Sequence, residues 1–174
     1  MDSLLIGRAK QFGVDSHMDV NQLYDGKPYG EHLQMVYDYA IKFIHLVPED
    51  KQEIVLASTW LHDTIEDVHS ITFNDIKKKF GEEIAEITYA LTNEKGRTRK
   101  ERANDKYYEG IRNRPYATFI KICDRLANVS YSKETGSRMF EVYKKEHLNF
   151  VQSLYTEDCG YDIMFTYLAQ LLEC

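Results

Sequence analysis

The sequence contains few cysteines, prolines and glycines and no long hydrophobic run. Its three cysteines, Cys123, Cys159 and Cys174, are odd in number and form no C-x-x-C pair, which excludes a disulfide framework and a cysteine zinc site. Three prolines and nine glycines in 174 residues exclude a collagen-like or linker-rich chain. No apolar run approaches the roughly 20 residues that span a bilayer, and the N-terminus does not begin a signal peptide. We therefore expect a cytoplasmic protein with reduced thiols and no membrane association.

The chain has no excess of positive charge. The formal net charge is -6, from 22 basic and 28 acidic residues, which argues against general binding to polymeric nucleic acid. The hydrophobic fraction of 43% is that of an ordinary globular protein. The length suits one domain with a full core, so we expect a single domain over residues 1–174.

Apolar residues recur at helical spacing along most of the chain, and the sequence shows no convincing strand and no internal repeat. The predicted helices begin with Ser3–Phe12, stopped by Gly13, and continue with Gly30–Val47, Pro48–Ile65 and Thr72–Phe80. The last of these starts at a capping box formed by Thr72 and Asp75. This pattern predicts an all-α fold, a compact bundle of about seven to nine helices.

The stretch Trp60–Asp67 concentrates ionisable residues within about two helical turns. The His62-Asp63 doublet stands close to Glu66 and Asp67, and such a group is costly in an apolar context unless a cation binds there. An imidazole with a carboxylate suits manganese, iron, zinc or cobalt better than calcium. Glu66 and Asp67 each follow a doublet residue by four positions, where a group acting on the attacking water is wanted. The alternative is a chance doublet at a solvated helix end.

Two further polar residues interrupt apolar helical faces. Asp124 lies within Ile120–Leu126 and needs a cation or an arginine if it is buried. His32 stands near the start of the second predicted helix. An ion pair for Asp124 and an ordinary core histidine for His32 are the alternatives. Together with His62 and Asp63, these residues form the order H…HD…D.

This order resembles the metal site of the HD-domain phosphohydrolase superfamily. The detail is closer to the hydrolase half of the RelA/SpoT alarmone enzymes and to the small stand-alone alarmone hydrolases. Gly26–His32 resembles their G-x-P-Y-x-x-H turn, Leu61–Asp67 their L-H-D-x-x-E-D signature, and Lys121–Asn128 their K-x-x-D-[RK]-L-x-N segment. The likeness covers a motif-bearing core of about residues 24–131, and C-terminal helices are expected over residues 137–172.

The resemblance implies an HD-domain fold in which four residues hold one divalent metal, namely His32, His62, Asp63 and Asp124. Manganese is the expected ion, with iron, cobalt or zinc as alternatives. Glu66 and Asp67 would orient or deprotonate the attacking water, and Asn128 would contact the sugar of the substrate. The implied enzyme is a (p)ppGpp 3′-pyrophosphohydrolase, whose partner is a small phosphorylated nucleotide.

The stretch Asn93–Asn113 is the most basic part of the chain. Three of its residues resemble the phosphate-facing lysines and arginines of the family, namely Lys95, Arg99 and Arg102. A solvated helix is the alternative, because acidic residues are interleaved with the basic ones. Tyr29 is a candidate for stacking on a nucleobase, with core packing as its alternative.

The remaining histidines are expected not to be metal ligands. They are His17 and His147, in polar sequence surroundings, His45 on the second predicted helix, and His69 in the turn after the acidic pair. Among them, His69 is the candidate for a proton shuttle because it follows Glu66 and Asp67 closely.

One departure from the family bears on the substrate. The long alarmone enzymes carry a basic, serine-containing stretch just before the G-x-P-Y turn, whereas this chain has Leu23, Tyr24 and Asp25. Two alternatives therefore stay open. One is an HD phosphohydrolase for another ribose-phosphorylated nucleotide, such as a phosphorylated dinucleotide or a nucleoside monophosphate. The other is a non-catalytic sensor of metal and nucleotide, although the presence of both Glu66 and Asp67 argues against it.

Overall fold

Helices form nearly all of the regular structure in the computed structural model, which describes residues 3–173. Residues 1, 2 and 174, and with them the third cysteine, lie outside the described part. The helices are α1 (Leu4–Asp19), α2 (Gly30–Phe43), α3 (Glu49–Leu61), α4 (Thr64–Asp67), α5 (Phe73–Phe80), α6 (Glu82–Leu91), α7 (Arg99–Arg102), α8 (Asp105–Arg112), α9 (Ala117–Glu134), α10 (Met139–Leu154) and α11 (Asp162–Leu172). A 3₁₀ turn, Ile44–Leu46, follows α2.

The all-α fold class is confirmed. Residues 3–173 contain eleven α-helical segments, more than the predicted number, because α4 and α7 are single turns of four residues. None of the helices in this part of the chain is both long enough and apolar enough to cross a membrane. The predicted capping box of α5 is present, with Thr72 and Asp75 bonded reciprocally.

The prediction that Gly13 stops the first helix is wrong. Helix α1 starts at the side-chain cap of Ser3 and continues through Gly13 to Asp19. A Cβ atom on Gly13 would lie 2.1 Å from the carbonyl oxygen of Trp60. The glycine therefore allows α1 and α3 to approach closely, and its role is a tertiary contact instead of a helix end.

Helix α3 lies at the centre of the bundle. Seven consecutive residues, Val55–Leu61, are buried, as expected for a helix that is covered on all sides. The predicted continuation to Ile65 does not occur, because α3 ends at Leu61 and α4 begins at Thr64. The His62-Asp63 doublet therefore lies at the junction of two helices.

A small hairpin precedes α2 and was not predicted. Strands β1 (Leu23–Tyr24) and β2 (Lys27–Pro28) pair antiparallel, with Tyr24 opposite Lys27. The two turn residues between them, Asp25 and Gly26, both have positive φ, 51° and 79°, as an Asp-Gly hairpin turn requires. Strands of two residues are too short to give an alternating pattern, so the sequence shows only the turn.

Candidate functional site

A cavity of about 520 Å³ brings together residues of α2, the α3–α4 junction, α7, α9 and α10. Helix α2 packs against both α3 and α9, which places its first turn opposite the doublet and the middle of α9. Of the four residues predicted to hold a metal, His32, Asp63 and Asp124 line the cavity. His62 is buried directly behind Asp63, with 1% of its surface exposed.

Four atoms that could bind a metal lie close together at this point. The His62 Nε2 atom lies 2.9 Å from Asp63 Oδ2, and His32 Nε2 lies 3.6 Å from Asp63 Oδ2 and 3.4 Å from Asp124 Oδ1. One ligand atom from each of His32, His62 and Asp124 lies within 4.8 Å of the others. These three residues form a candidate site for a divalent metal, and the Asp63 carboxylate adjoins it.

The tautomer of His62 fits a cation at this site. Its Nδ1 atom lies 2.8 Å from the carbonyl oxygen of Thr59, which can only accept a hydrogen bond. The Nδ1 atom therefore carries the hydrogen, and the neutral ring turns the lone pair of Nε2 toward Asp63. A lone pair facing a carboxylate is unfavourable unless a proton or a metal lies between them.

The electrostatics of the cluster lead to the same conclusion. Burial lowers the pKa of His32, but hydrogen bonds to Asp124 and Asp63 outweigh burial and raise this pKa to about 9. Burial also opposes charge on His62, yet the Asp63 carboxylate raises the pKa of that imidazole. Burial would raise the pKa of Asp63, and the two histidines hold it well below its usual range. The cluster therefore favours additional positive charge, supplied by protons or by a metal ion.

Asp124 has a structural partner as well. Lys121 donates to Asp124 Oδ2 at 2.9 Å, so the ion pair considered as an alternative is present, with a lysine in place of an arginine. Only 17% of the Lys121 side chain is exposed. The two oxygens of Asp124 therefore have different partners, since Oδ2 accepts from Lys121 and Oδ1 faces His32.

The two acidic residues after the doublet have different surroundings. Glu66 lines the cavity, and its carboxylate accepts from the side chain of Asn93 at 2.7 Å and from the backbone N–H of Asn93 at 3.1 Å. Asp67 is absent from the cavity lining, and its Oδ2 accepts from Gln22 at 3.3 Å. Burial, together with the charges of Asp63 and Glu66, raises the pKa of Asp67 to about 7.

Tyr29 and Asn128 both line the cavity and both contact proposed metal ligands. The Tyr29 hydroxyl donates to Asp63 Oδ2 at 2.6 Å. The amide of Asn128 donates to the carboxylate of Asp124, and its oxygen accepts from the Tyr24 hydroxyl at 2.9 Å. The Tyr24 ring stacks on His32, with the ring centres 4.7 Å apart. The hairpin thus covers His32, the first of the predicted metal ligands, with an aromatic ring.

The three basic residues proposed for phosphate binding have different surroundings in the structure. Arg102 lines the cavity and has no ion-pair partner within residues 3–173. Arg99 also lines the cavity, but its Nε donates to Glu146 Oε1 at 3.0 Å and a terminal nitrogen donates to Oε2 at 3.1 Å. Lys95 is exposed and does not contribute to the lining.

Helix α10 contributes residues that sequence reasoning missed. Tyr143, Lys145, Glu146 and Asn149 line the cavity, and Glu146 also accepts from Arg125 at 2.9 Å. These residues lie outside the motif-bearing stretch 24–131. The available signal was a polar strip, Tyr143, Glu146 and Asn149, spaced three residues apart on one face of an otherwise amphipathic helix.

The expectation that His17 has polar surroundings is wrong. It is fully buried on α1, with 0% of its surface exposed, and its ring stacks on Tyr29 with the ring centres 4.6 Å apart. The available signal was its spacing, because Ala9, Gly13 and His17 follow one another at intervals of four and mark one buried helical face. His69, the shuttle candidate, is exposed.

The comparisons with known proteins identify the fold. A solved structure, described as a metazoan ortholog of SpoT that hydrolyzes ppGpp and plays a role in starvation responses, matches this chain with a TM-score of 0.72. The match covers 98% of this chain and 96% of that chain, at 19% sequence identity. No protein-family profile matches the sequence, and no curated protein matches it. The chain therefore has the fold of a SpoT ortholog, as the resemblance of its motifs predicts.

Proposed function

We propose that this protein is a metal-dependent phosphohydrolase that removes the 3′-pyrophosphate from guanosine tetraphosphate or pentaphosphate. The observation that carries the proposal is the cluster of His32, His62, Asp63 and Asp124 beside a cavity lined by basic side chains. The fold supports it, because the matching SpoT ortholog hydrolyzes ppGpp. We propose manganese as the ion, since mixed imidazole and carboxylate ligands suit it. A single domain over residues 1–174 and a cytoplasmic location remain part of the proposal.

The proposal assigns a separate role in the reaction to each of several residues. A divalent ion bound at the cluster would supply Lewis acidity and a more acidic water molecule. The carboxylate of Glu66, which faces the cavity and is oriented by Asn93, accepts the proton of the attacking water. The amide of Asn128 lies beside Asp124 and contacts the ribose. Tyr29 fixes the orientation of the Asp63 carboxylate through its hydroxyl.

The cations of the cavity provide for the phosphates of the substrate. Six basic side chains line it, namely Arg99, Lys100, Arg102, Lys121, Arg125 and Lys145. Three of them are paired with Asp124 or Glu146. No ion pair within residues 3–173 involves Lys100, Arg102 or Lys145, so these three side chains are the proposed contacts for the anionic groups of the nucleotide.

The test is pyrophosphate release from guanosine tetraphosphate by the manganese-loaded protein, with His62→Ala as the control. We expect release by the natural sequence and none by the variant, because His62 is a proposed ligand of the ion. The metal content of both proteins, measured by mass spectrometry, shows whether the loss of activity follows the loss of the metal. An inactive natural sequence with a full complement of metal would contradict the alarmone assignment.

Another ribose-phosphorylated nucleotide remains the second candidate, and the hairpin favours it. At the position where the long alarmone enzymes are basic, Asp25 accepts from the Tyr131 hydroxyl at 2.9 Å. The hydroxyl of Tyr24 occupies the oxygen of Asn128. A phosphorylated dinucleotide assayed beside guanosine tetraphosphate distinguishes the two, because the preferred substrate is the one with the higher kcat/KM.

Arg102→Ala is expected to raise KM for the nucleotide about tenfold and to change kcat little, since one charge-assisted hydrogen bond to a phosphate is lost. The matched control is Lys95→Ala, which removes an exposed cation of the same basic segment that does not line the cavity. Steady-state kinetics of both variants provide the measurement. Equal effects of the two substitutions would show that only the overall charge of the segment matters.

A further inference from the structure

His17 is a buried histidine that the proposed reaction does not use. Its Nδ1 atom lies 2.7 Å from the carbonyl oxygen of Gly13. Because a carbonyl oxygen only accepts, Nδ1 carries the hydrogen of the neutral ring. The opposite atom, Nε2, is buried and has no hydrogen-bond partner within 3.5 Å in the described part of the chain. A buried imidazole nitrogen without a partner is uncommon and requires a physical explanation.

The carboxyl group nearest to this nitrogen is that of Asp67, one of the two acidic residues predicted to act on the attacking water. Asp67 Oδ2 lies 3.7 Å from His17 Nε2, slightly beyond hydrogen-bonding distance. Gln22 donates to the same oxygen at 3.3 Å. His17 and Gln22 therefore approach one oxygen of the Asp67 carboxyl group from α1 and from the turn that follows α1. The Asp67 side chain keeps 20% of its surface exposed, so the carboxyl group is not sealed from solvent.

The orientation of the His17 ring is fixed on two sides. One edge is held by the Gly13 carbonyl group, and one face is stacked on Tyr29 with an interplanar angle of 10°. Tyr29 in turn donates to Asp63. The imidazole cannot rotate without breaking the hydrogen bond to Gly13 or the stack on Tyr29. The direction of Nε2 toward Asp67 is thus determined by the fold.

We propose that His17 is a positioning residue for Asp67. Closing the 3.7 Å separation of Nε2 and Oδ2 forms a hydrogen bond that needs one proton, whichever atom carries it. That bond fixes the orientation of the Asp67 carboxyl group, one of the two carboxyl groups predicted to act on the attacking water. This role rests on the proposed hydrolase function. It extends the active site to α1, which lies outside the motifs of the chain, and it explains why a histidine occupies a fully buried position there.

The kinetic test compares two substitutions of His17. The His17→Phe variant keeps a ring that stacks on Tyr29 but has no nitrogen, and we expect kcat to fall about 10- to 100-fold with little change in KM. The His17→Gln variant places an amide nitrogen near the position of Nε2 and should recover part of the lost kcat. The matched control, His45→Phe, changes an exposed histidine and should leave kcat unchanged.

A second comparison separates positioning from mere packing. In the Asp67→Asn background, His17→Phe is expected to have no further effect on kcat, since the partner it positions is already altered. Additive losses in the double variant, an unchanged kcat in His17→Phe, or a loss of bound metal from His17→Phe would each overturn the proposal. If both variants of His17 fail to fold, ¹⁵N NMR of the natural sequence decides.

The imidazole nitrogen signals of the natural sequence report on the contact without any assay of activity. In ¹⁵N NMR spectra, the Nε2 signal of His17 should shift when Asp67 is changed to Asn and stay in place when Asp15 is changed to Asn. An Nε2 signal that does not shift in the Asp67→Asn variant would overturn the proposed contact. A protein that shows this coupling but hydrolyses no nucleotide would instead contradict the proposed function, so the two failures are distinguishable.

Discussion

Glu66→Gln is expected to lower kcat about 10²- to 10⁴-fold, the contribution typical of a general base, while metal content and KM stay close to those of the natural sequence. In the natural sequence, both oxygens of the Glu66 carboxylate accept hydrogen bonds from Asn93. The glutamine keeps one oxygen that can accept from Asn93. It has no carboxylate to take a proton from water. The measurement is kcat at saturating nucleotide, together with the metal content of each protein.

A comparison with Glu66→Ala separates the role of Glu66 in proton transfer from its structural role. Glu66→Ala removes both functions, because it also leaves Asn93 without its partner at the start of the basic segment. We expect Glu66→Ala to raise KM in addition to lowering kcat, whereas Glu66→Gln lowers kcat alone. Full activity of Glu66→Gln would show that another group accepts the proton, and Asp67 would then be the next residue to test.

Gly13→Ala is expected to destabilise the protein by about 2 kcal/mol or more, the range of overpacked cores. The added methyl group would lie 2.1 Å from the carbonyl oxygen of Trp60, and backbone atoms at that distance have to move apart. For a chain of this length, such a change lowers Tm by about 4–8 °C. Since Trp60 stands two residues before His62, we expect the weakened packing to reduce metal affinity as well.

Gly7→Ala is the matched control on the same helix. A Cβ atom on Gly7 would meet nothing within 4 Å, and alanine is the better helix former by about 1 kcal/mol. We therefore expect Gly7→Ala to raise Tm slightly. Thermal unfolding of the two variants, followed by circular dichroism, provides the comparison. Equal Tm values for both would contradict the close approach of α1 to α3.

Features governed by neighbouring residues could be predicted from the sequence. The capping box of α5 joins Thr72 to Asp75, and the partners are only three residues apart. The doublet His62-Asp63 and the glutamate that follows it fall within one short stretch, so their proximity could be predicted from the sequence. The all-α class followed in the same way from the spacing of apolar residues.

Features that depend on distant contacts could not be predicted. Gly13 signals a helix end when taken alone, and only the position of Trp60 shows that it serves a close approach. His17 reaches Asp67 across fifty positions of sequence, and its stack on Tyr29 depends on how α1 meets α2. The residues proposed to contact phosphate were taken from the family resemblance and from their charge. The ion pair of Arg99 with Glu146 could not be predicted in that way, because Glu146 lies on a distant helix.

The arrangement of Glu146 between Arg99 and Arg125 has a consequence for selectivity. The protein carries an internal anion in the cavity, and a phosphate of the proposed substrate competes with Glu146 for the guanidinium nitrogens that it binds. Because the carboxylate is attached to the same chain, it competes at a high effective concentration. Weakly charged solutes such as chloride or a single phosphate monoester gain little from this exchange, whereas a polyphosphate gains several contacts at once. For the proposed function, this arrangement predicts selectivity for ligands of high charge density.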